Sequence, residues 1–202
     1  MPAAKFIALA TALLGAVSAS PCKPTGSGSG SNSTDTFIST GTTFSLMALR
    51  SGSEVHFQTF SAAKGSFFLA LPSSNATCTD GSEPDSATFT LSEDGELLLY
   101  GEEPQQKAFA DRSGMGQGKF GYMGGNDTAG TRWETTGFEL DETNDLTLNG
   151  AEFLACPNSI DSAWSVWMNA GVENPAGNEG CLGIMARAVK ATDPVMCEYT
   201  TS

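Results

Sequence analysis

Beyond residue 42, apolar and β-branched residues come only in short runs, each closed by Gly, Asn, Asp or Pro, and no long amphipathic helical pattern appears. The runs are 43–50, 54–61, 66–71, 87–92, 96–101, 107–112, 119–123, 133–140, 145–149, 152–156, 163–168 and 181–189. Twelve such segments predict an all-β domain. FTLSEDGEL (89–97) and FELDETNDL (138–146), 49 residues apart, both alternate into and out of a turn as hairpins do. A weaker echo, FSL, stands at 44–46. Three units of four strands predict a β-trefoil-like closed barrel of about 12 short strands. In that barrel the first run, 43–50, pairs with the last, 181–189, and removes the exposed edges. A two-sheet β-sandwich is the alternative.

The N-terminal segment reads as an address. Lys5 precedes an apolar stretch at 6–17 and small residues at 17–19, the pattern of a secretory signal peptide over 1–19 cut after Ala19. The stretch is too short to span a bilayer, and the polar C-terminus lacks the hydrophobic tail of a lipid-anchor signal, so no membrane association is expected. Residues 20–42 are mostly Ser, Gly, Thr and Pro, too poor in apolar surface to offset chain entropy, and are expected to form a flexible linker ahead of one domain at 43–202.

Export carries two consequences. Five cysteines, Cys22, Cys78, Cys156, Cys181 and Cys197, enter an oxidising route, so two bridges and one odd thiol are expected. Sequence does not select among the pairings, although Cys22, in the linker, is the natural odd one and a point of attachment to a partner or wall. Three Asn-x-Ser/Thr sequons, at Asn32, Asn75 and Asn126, sit in loop-like settings and are candidate glycosylation sites.

Charge and residue chemistry exclude several function classes. Ten basic residues face 23 acidic ones, a net charge of −13, with no Lys/Arg cluster to neutralise phosphates, so nucleic acid is no partner. The single histidine, His56, falls in run 54–61 on its expected wet face, with no Gly-x-Ser-x-Gly elbow to serve. One His and no Cys-x-x-Cys pair give zinc no ligand set, and no metal or cofactor is expected. Carboxylates gather at two hairpins (Glu93, Asp94, Glu96 and Asp141, Glu142, Asp145), where turns collect acids in any case. The glycines of 112–118 resemble a phosphate cradle but precede a strand-like run instead of a helix. Alternation along 163–168 puts Trp164, Val166 and Met168 on the core face and Ser165 with Trp167 on the other. Trp167, Trp133 and Tyr122 are therefore the candidate glycan-stacking rings, with cell wall polysaccharide the possible partner.

The irregular segments carry a resemblance. ADRSGMGQGK (110–119), ACPNSIDSAWSVW (155–167) and AGVENPAGN (170–178), with FSAAK (60–64) and NATC (75–78), resemble segments of the PhiA family of filamentous-fungal cell wall proteins, over roughly residue 44 to the end. The Ser/Gly-rich stretch 25–42 departs from the family pattern by its length. The resemblance implies a secreted, non-enzymatic cell wall protein concerned with wall organisation and with phialide and conidium development, in a family that includes IgE-binding allergens. It brings no catalytic residue and leaves the oligomeric state open. A carbohydrate-binding module for wall glycan is the alternative.

Overall fold

The computed structural model describes residues 37–202. The signal segment, Cys22 and Asn32 lie outside them. Fourteen strands form: β1 (Phe44–Leu49), β2 (Phe60–Ala63), β3 (Ser66–Leu69), β4 (Thr77–Cys78), β5 (Thr88–Leu91), β6 (Leu97–Leu99), β7 (Lys107–Asp111), β8 (Lys119–Met123), β9 (Phe138–Leu140), β10 (Asp145–Leu148), β11 (Phe153–Cys156), β12 (Trp164–Met168), β13 (Leu182–Lys190) and β14 (Cys197–Glu198). Nine close into a ring in the order β1, β5, β6, β7, β8, β3, β12, β11, β13 and back to β1. Strand β2 bonds to β3 outside this path, β10 and β9 continue from β13, and β14 pairs with β4 as a separate ribbon.

The closure expected between the first and last runs is present. β1 and β13 pair antiparallel from Phe44 opposite Lys190 to Leu49 opposite Met185. Period-2 alternation explains it: Phe44, Leu46 and Ala48 face the interior with Ile184, Ala186 and Ala188, while Ser45, Met47 and Leu49 look outward. The fold is a closed all-β barrel, not an open two-sheet sandwich. Phe44, Phe60, Phe67, Phe89, Phe120, Phe138 and Phe153 fill it. Their rings meet at offset and tilted angles, Phe67 to Phe120 at 4.5 Å and Phe120 to Phe153 at 5.1 Å between centroids. Buried alanines, among them Ala48, Ala108, Ala110, Ala155 and Ala186, stand between the rings, so large and small side chains alternate around a tapering interior. Each buried phenylalanine contributes about 2–3 kcal/mol from area removed from water.

Four details differ from the sequence reading, each for a local reason. In the run 54–61 only residues 60 and 61 are strand. The chain turns back instead, Phe57 N–H donating to Ala48 O and Ala48 N–H to Gln58 O (both 2.8 Å), which leaves Phe57 at φ +67° and exposed. The run 133–140 is strand only from Phe138, because Gly137 at φ +94° bends the chain and Glu134 bridges to Ala110 instead. The two look-alike hairpins take different places: β5–β6 lies in the ring, and β9–β10 is bonded onto β13 beyond it. Two-residue β4 and β14 carry no periodicity to read.

At the N-terminal end of the described chain, Ile38 is buried with its N–H bonded to Asn144 Oδ1 (2.8 Å), and Gly41 N–H donates to Leu91 O. These residues belong to the folded unit. At the other end a C-terminal strap is stitched across the barrel: Gln106 receives Tyr199 N–H at 2.8 Å and donates to Tyr199 O at 2.7 Å, and the Tyr122 hydroxyl donates to Thr200 O. No helix among the described residues is long and apolar enough to cross a membrane.

Candidate functional site

The three long irregular segments singled out in the sequence converge on one side of the barrel. Strand β8 follows loop 112–118 and meets β12 directly, Lys119 opposite Trp167. Met168 N–H donates to Gly118 O at 2.7 Å, and Ala176 N–H, in loop 169–178, donates to Gln117 Oε1 at 2.7 Å. Gly118 has φ +93°, and a Cβ there would lie 2.1 Å from Met168 O, so only glycine admits this approach of loop to strand. The loop closes on itself through Gln117 N–H to Ser113 O and Gly118 N–H to Asp111 O. Arg112 anchors its start, gripping Glu134 with Nε to Oε1 at 2.8 Å and Nη2 to Oε2 at 2.5 Å. That pairing holds the Glu134 carboxyl below its usual range.

On the outer face of this junction stands Trp167, half-buried, as alternation along β12 requires: Val166 and Met168 are buried, whereas Ser165 and Trp167 are not. Its indole Nε1 donates to Ser165 Oγ at 3.0 Å. The Lys119 ammonium lies over the ring, 5.9 Å from the centroid, and donates to Ser66 Oγ at 2.5 Å. Burial draws the Lys119 pKa down from its ordinary value.

The other two candidate rings are placed differently. Trp133 is half-buried and stacks flat on Phe109, centroids 3.7 Å apart at 5°, with the Gly130 backbone close against its indole. Tyr122 is a correction. Only 2% of it is exposed, its hydroxyl is bonded to Thr200 O, and burial pushes its pKa up, so no face is open to a sugar. Along KFGYM the inward phase is Phe120 and Tyr122, and the ring joins the core against Phe67 at 5.3 Å.

Three of the six hairpin carboxylates hold structure. Glu96 pairs with Lys107 at 2.5 Å, Asp145 takes Arg187 in a two-pronged contact at 2.6 and 3.0 Å, and Asp141 Oδ1 accepts the N–H groups of Thr143 and Asp145. His56 Nδ1 accepts Arg50 N–H at 3.1 Å and its ring stacks on Phe57. No group of three or more His, Cys, Asp or Glu suited to a metal occurs among the described residues.

The cysteines pair as Cys78–Cys197 and Cys156–Cys181. With these four joined, Cys22 has no cysteine of its own chain left to bond. The Cys78–Cys197 bridge borders an open polar cleft of about 550 Å³, whose lining includes Thr77, Glu102, Asn126 and Asp127. Two sequons thus meet at its rim, and Asn75 and Asn126 are both exposed.

Comparison with known proteins decides the family. The model of the PhiA-like secreted protein family matches residues 44–200, almost the whole barrel. The chain belongs to the PhiA-like secreted protein family. It is 50% identical over 164 residues to cell wall protein phiA of Emericella nidulans, covering 81% of this chain and 89% of that one. Likeness to cell wall protein phiA of Aspergillus niger is 44% over 160 residues (79% and 86%), and to that of Arthroderma benhamiae 39% over 165 (78% and 87%). No solved structure matches. The fold of this PhiA-like chain therefore stands on its own register and packing.

In this PhiA-like chain alternation alone places Trp167 on the outer face, but it gives no sign of Lys119 over its ring or of Ser66 bonded to that ammonium. Lys119 opens β8 and Ser66 opens β3, 53 residues apart. Only the meeting of β3, β8 and β12 brings them together.

Proposed function

We propose that this secreted cell wall protein is a non-catalytic building element that organises the wall and serves asexual development, the formation of phialides and conidia. The observation that carries the reading is the 39–50% identity, over about four-fifths of the chain, to proteins named cell wall protein phiA. A closed barrel stapled by two disulfides suits a component that must persist outside the cell. Retention in the glycan matrix would come from adsorption, from N-glycans at Asn32, Asn75 and Asn126, or from a bond through Cys22. Deleting the gene tests the reading: the expected outcome is altered wall composition with fewer conidia, and release of the wild-type protein from walls by detergent with reductant. Normal walls and normal conidiation in the deletant contradict it.

One observation favours a second reading, carbohydrate binding. The Trp167 ring lies on the outer barrel face among hydroxyls, at the junction of the three irregular segments. Pull-down on chitin and β-glucan, with Trp167→Ala as control, separates a binding module from a purely structural protein.

A further inference from the structure

Four cations of the described residues are partly buried: Lys107, Arg112, Arg187 and Lys119. Three are matched to carboxylates, by Glu96, Glu134 and Asp145. Lys119 has no carboxylate within ion-pair distance among the described residues. Its cross-strand neighbour Asp111 turns instead to Ser113 N–H at 3.0 Å. In a chain of net charge −13, a partly buried ammonium without a counter-ion leaves favourable interaction unused. The ammonium meets the half-buried Trp167 ring and the Ser66 hydroxyl, and Trp167 in turn bonds the Ser165 hydroxyl and pairs on its other side with the half-buried Leu154 of β11.

We propose that Trp167, Lys119, Ser66 and Ser165 form a subsite for a negatively charged saccharide. The indole face not covered by Lys119 takes the apolar C–H face of a pyranose ring, the ammonium takes the carboxylate or phosphate of an adjoining sugar unit, and the serines bond neighbouring sugar hydroxyls. The inference rests on the carbohydrate-binding reading and narrows it from wall glycan in general to an acidic one. Long-range repulsion from the acidic surface opposes encounter, whereas the local, partly desolvated pair is screened little by salt. Binding is therefore unchanged or strengthened as ionic strength rises, the reverse of a basic patch.

The test is calorimetric titration of the secreted protein with four oligosaccharides of equal length: an oligoglucuronate, a phosphorylated oligomannoside, a β-glucan and a chitin oligomer. The expected result is at least tenfold tighter binding of one acidic oligomer than of the neutral ones, and the two acidic arms tell carboxylate from phosphate. Lys119→Gln abolishes that ratio, Lys119→Arg keeps it, and Trp167→Ala weakens every arm, all with unchanged thermal midpoints. A readout on the wild-type chain needs no variant to fold: acylation of Lys119, followed by mass spectrometry, slows at least fivefold when the acidic oligomer is bound. Equal affinity for acidic and neutral oligomers, or a ratio untouched by Lys119→Gln, overturns the proposal and leaves a neutral-sugar site at Trp167 standing. Absence of binding in all four arms overturns the carbohydrate-binding reading with it.

Discussion

Gln106 shows how much of this fold depends on single polar side chains. Buried in the barrel wall, it satisfies both backbone groups of Tyr199, and its own two polar atoms are thereby used as well. Gln106→Leu leaves a buried N–H and C=O without partners and is expected to cost about 2–4 kcal/mol, read as a drop in the denaturation midpoint. Gly118→Ala meets a different obstacle, a left-handed backbone and the Met168 carbonyl at 2.1 Å, and should lose a further about 2–4 kcal/mol by the same assay. Legibility at this scale divides by range. The outward face of Trp167 was readable because period-2 alternation is local. The fate of Tyr122 was not, since its hydroxyl partner Thr200 lies 78 residues away. Nor was the isolation of Lys119 readable, because it depends on which strands flank it and on what their side chains already hold.

At the level of strands and loops, ten of the twelve expected runs coincide with strands, 54–61 and 133–140 being the two mostly misplaced, and the pair that closes the ring was anticipated. Alternation failed where a strand is too short to alternate. β4 and β14 are two residues each, and Cys78 stands directly opposite Cys197 across them. The Cys78–Cys197 pairing was invisible for the same reason. The two bridges close loops of very different length, 119 and 25 residues. On chain entropy alone, losing Cys78–Cys197 costs about 4.9 kcal/mol and losing Cys156–Cys181 about 3.5 kcal/mol. Paired Cys→Ser variants, compared by denaturant unfolding, should therefore rank in that order. The reverse order would show that the ribbon bearing Cys78 and Cys197 is only loosely coupled to the barrel. Convergence of the three irregular segments was likewise beyond sequence reading, because Gly118 to Met168 and Gln117 to Ala176 are contacts across the fold.

The described residues form one barrel whose buried aromatic rings supply cohesion, in a chain of net charge −13. Acid weakens it in part through the Arg112–Glu134 clamp. The Glu134 carboxyl, depressed by Arg112, contributes stability that is complete above its ordinary value of 4.5 and disappears as pH falls through the depressed one. Glu134→Gln should lower stability by about 1 kcal/mol at neutral pH, a partly exposed, solvent-screened pair being worth little more, and the gap from wild type should close in strong acid. A gap that persists unchanged at low pH assigns Glu134 a packing role instead. As proposed above, this barrel is a component of the wall that transforms nothing in it. Incubating the purified secreted protein with isolated hyphal walls, and measuring in one experiment the protein that sediments and the sugar that is released, addresses both halves of that statement. Protein in the pellet with no sugar in the supernatant is the predicted result; protein left in solution, or sugar released at an enzyme's pace, contradicts it.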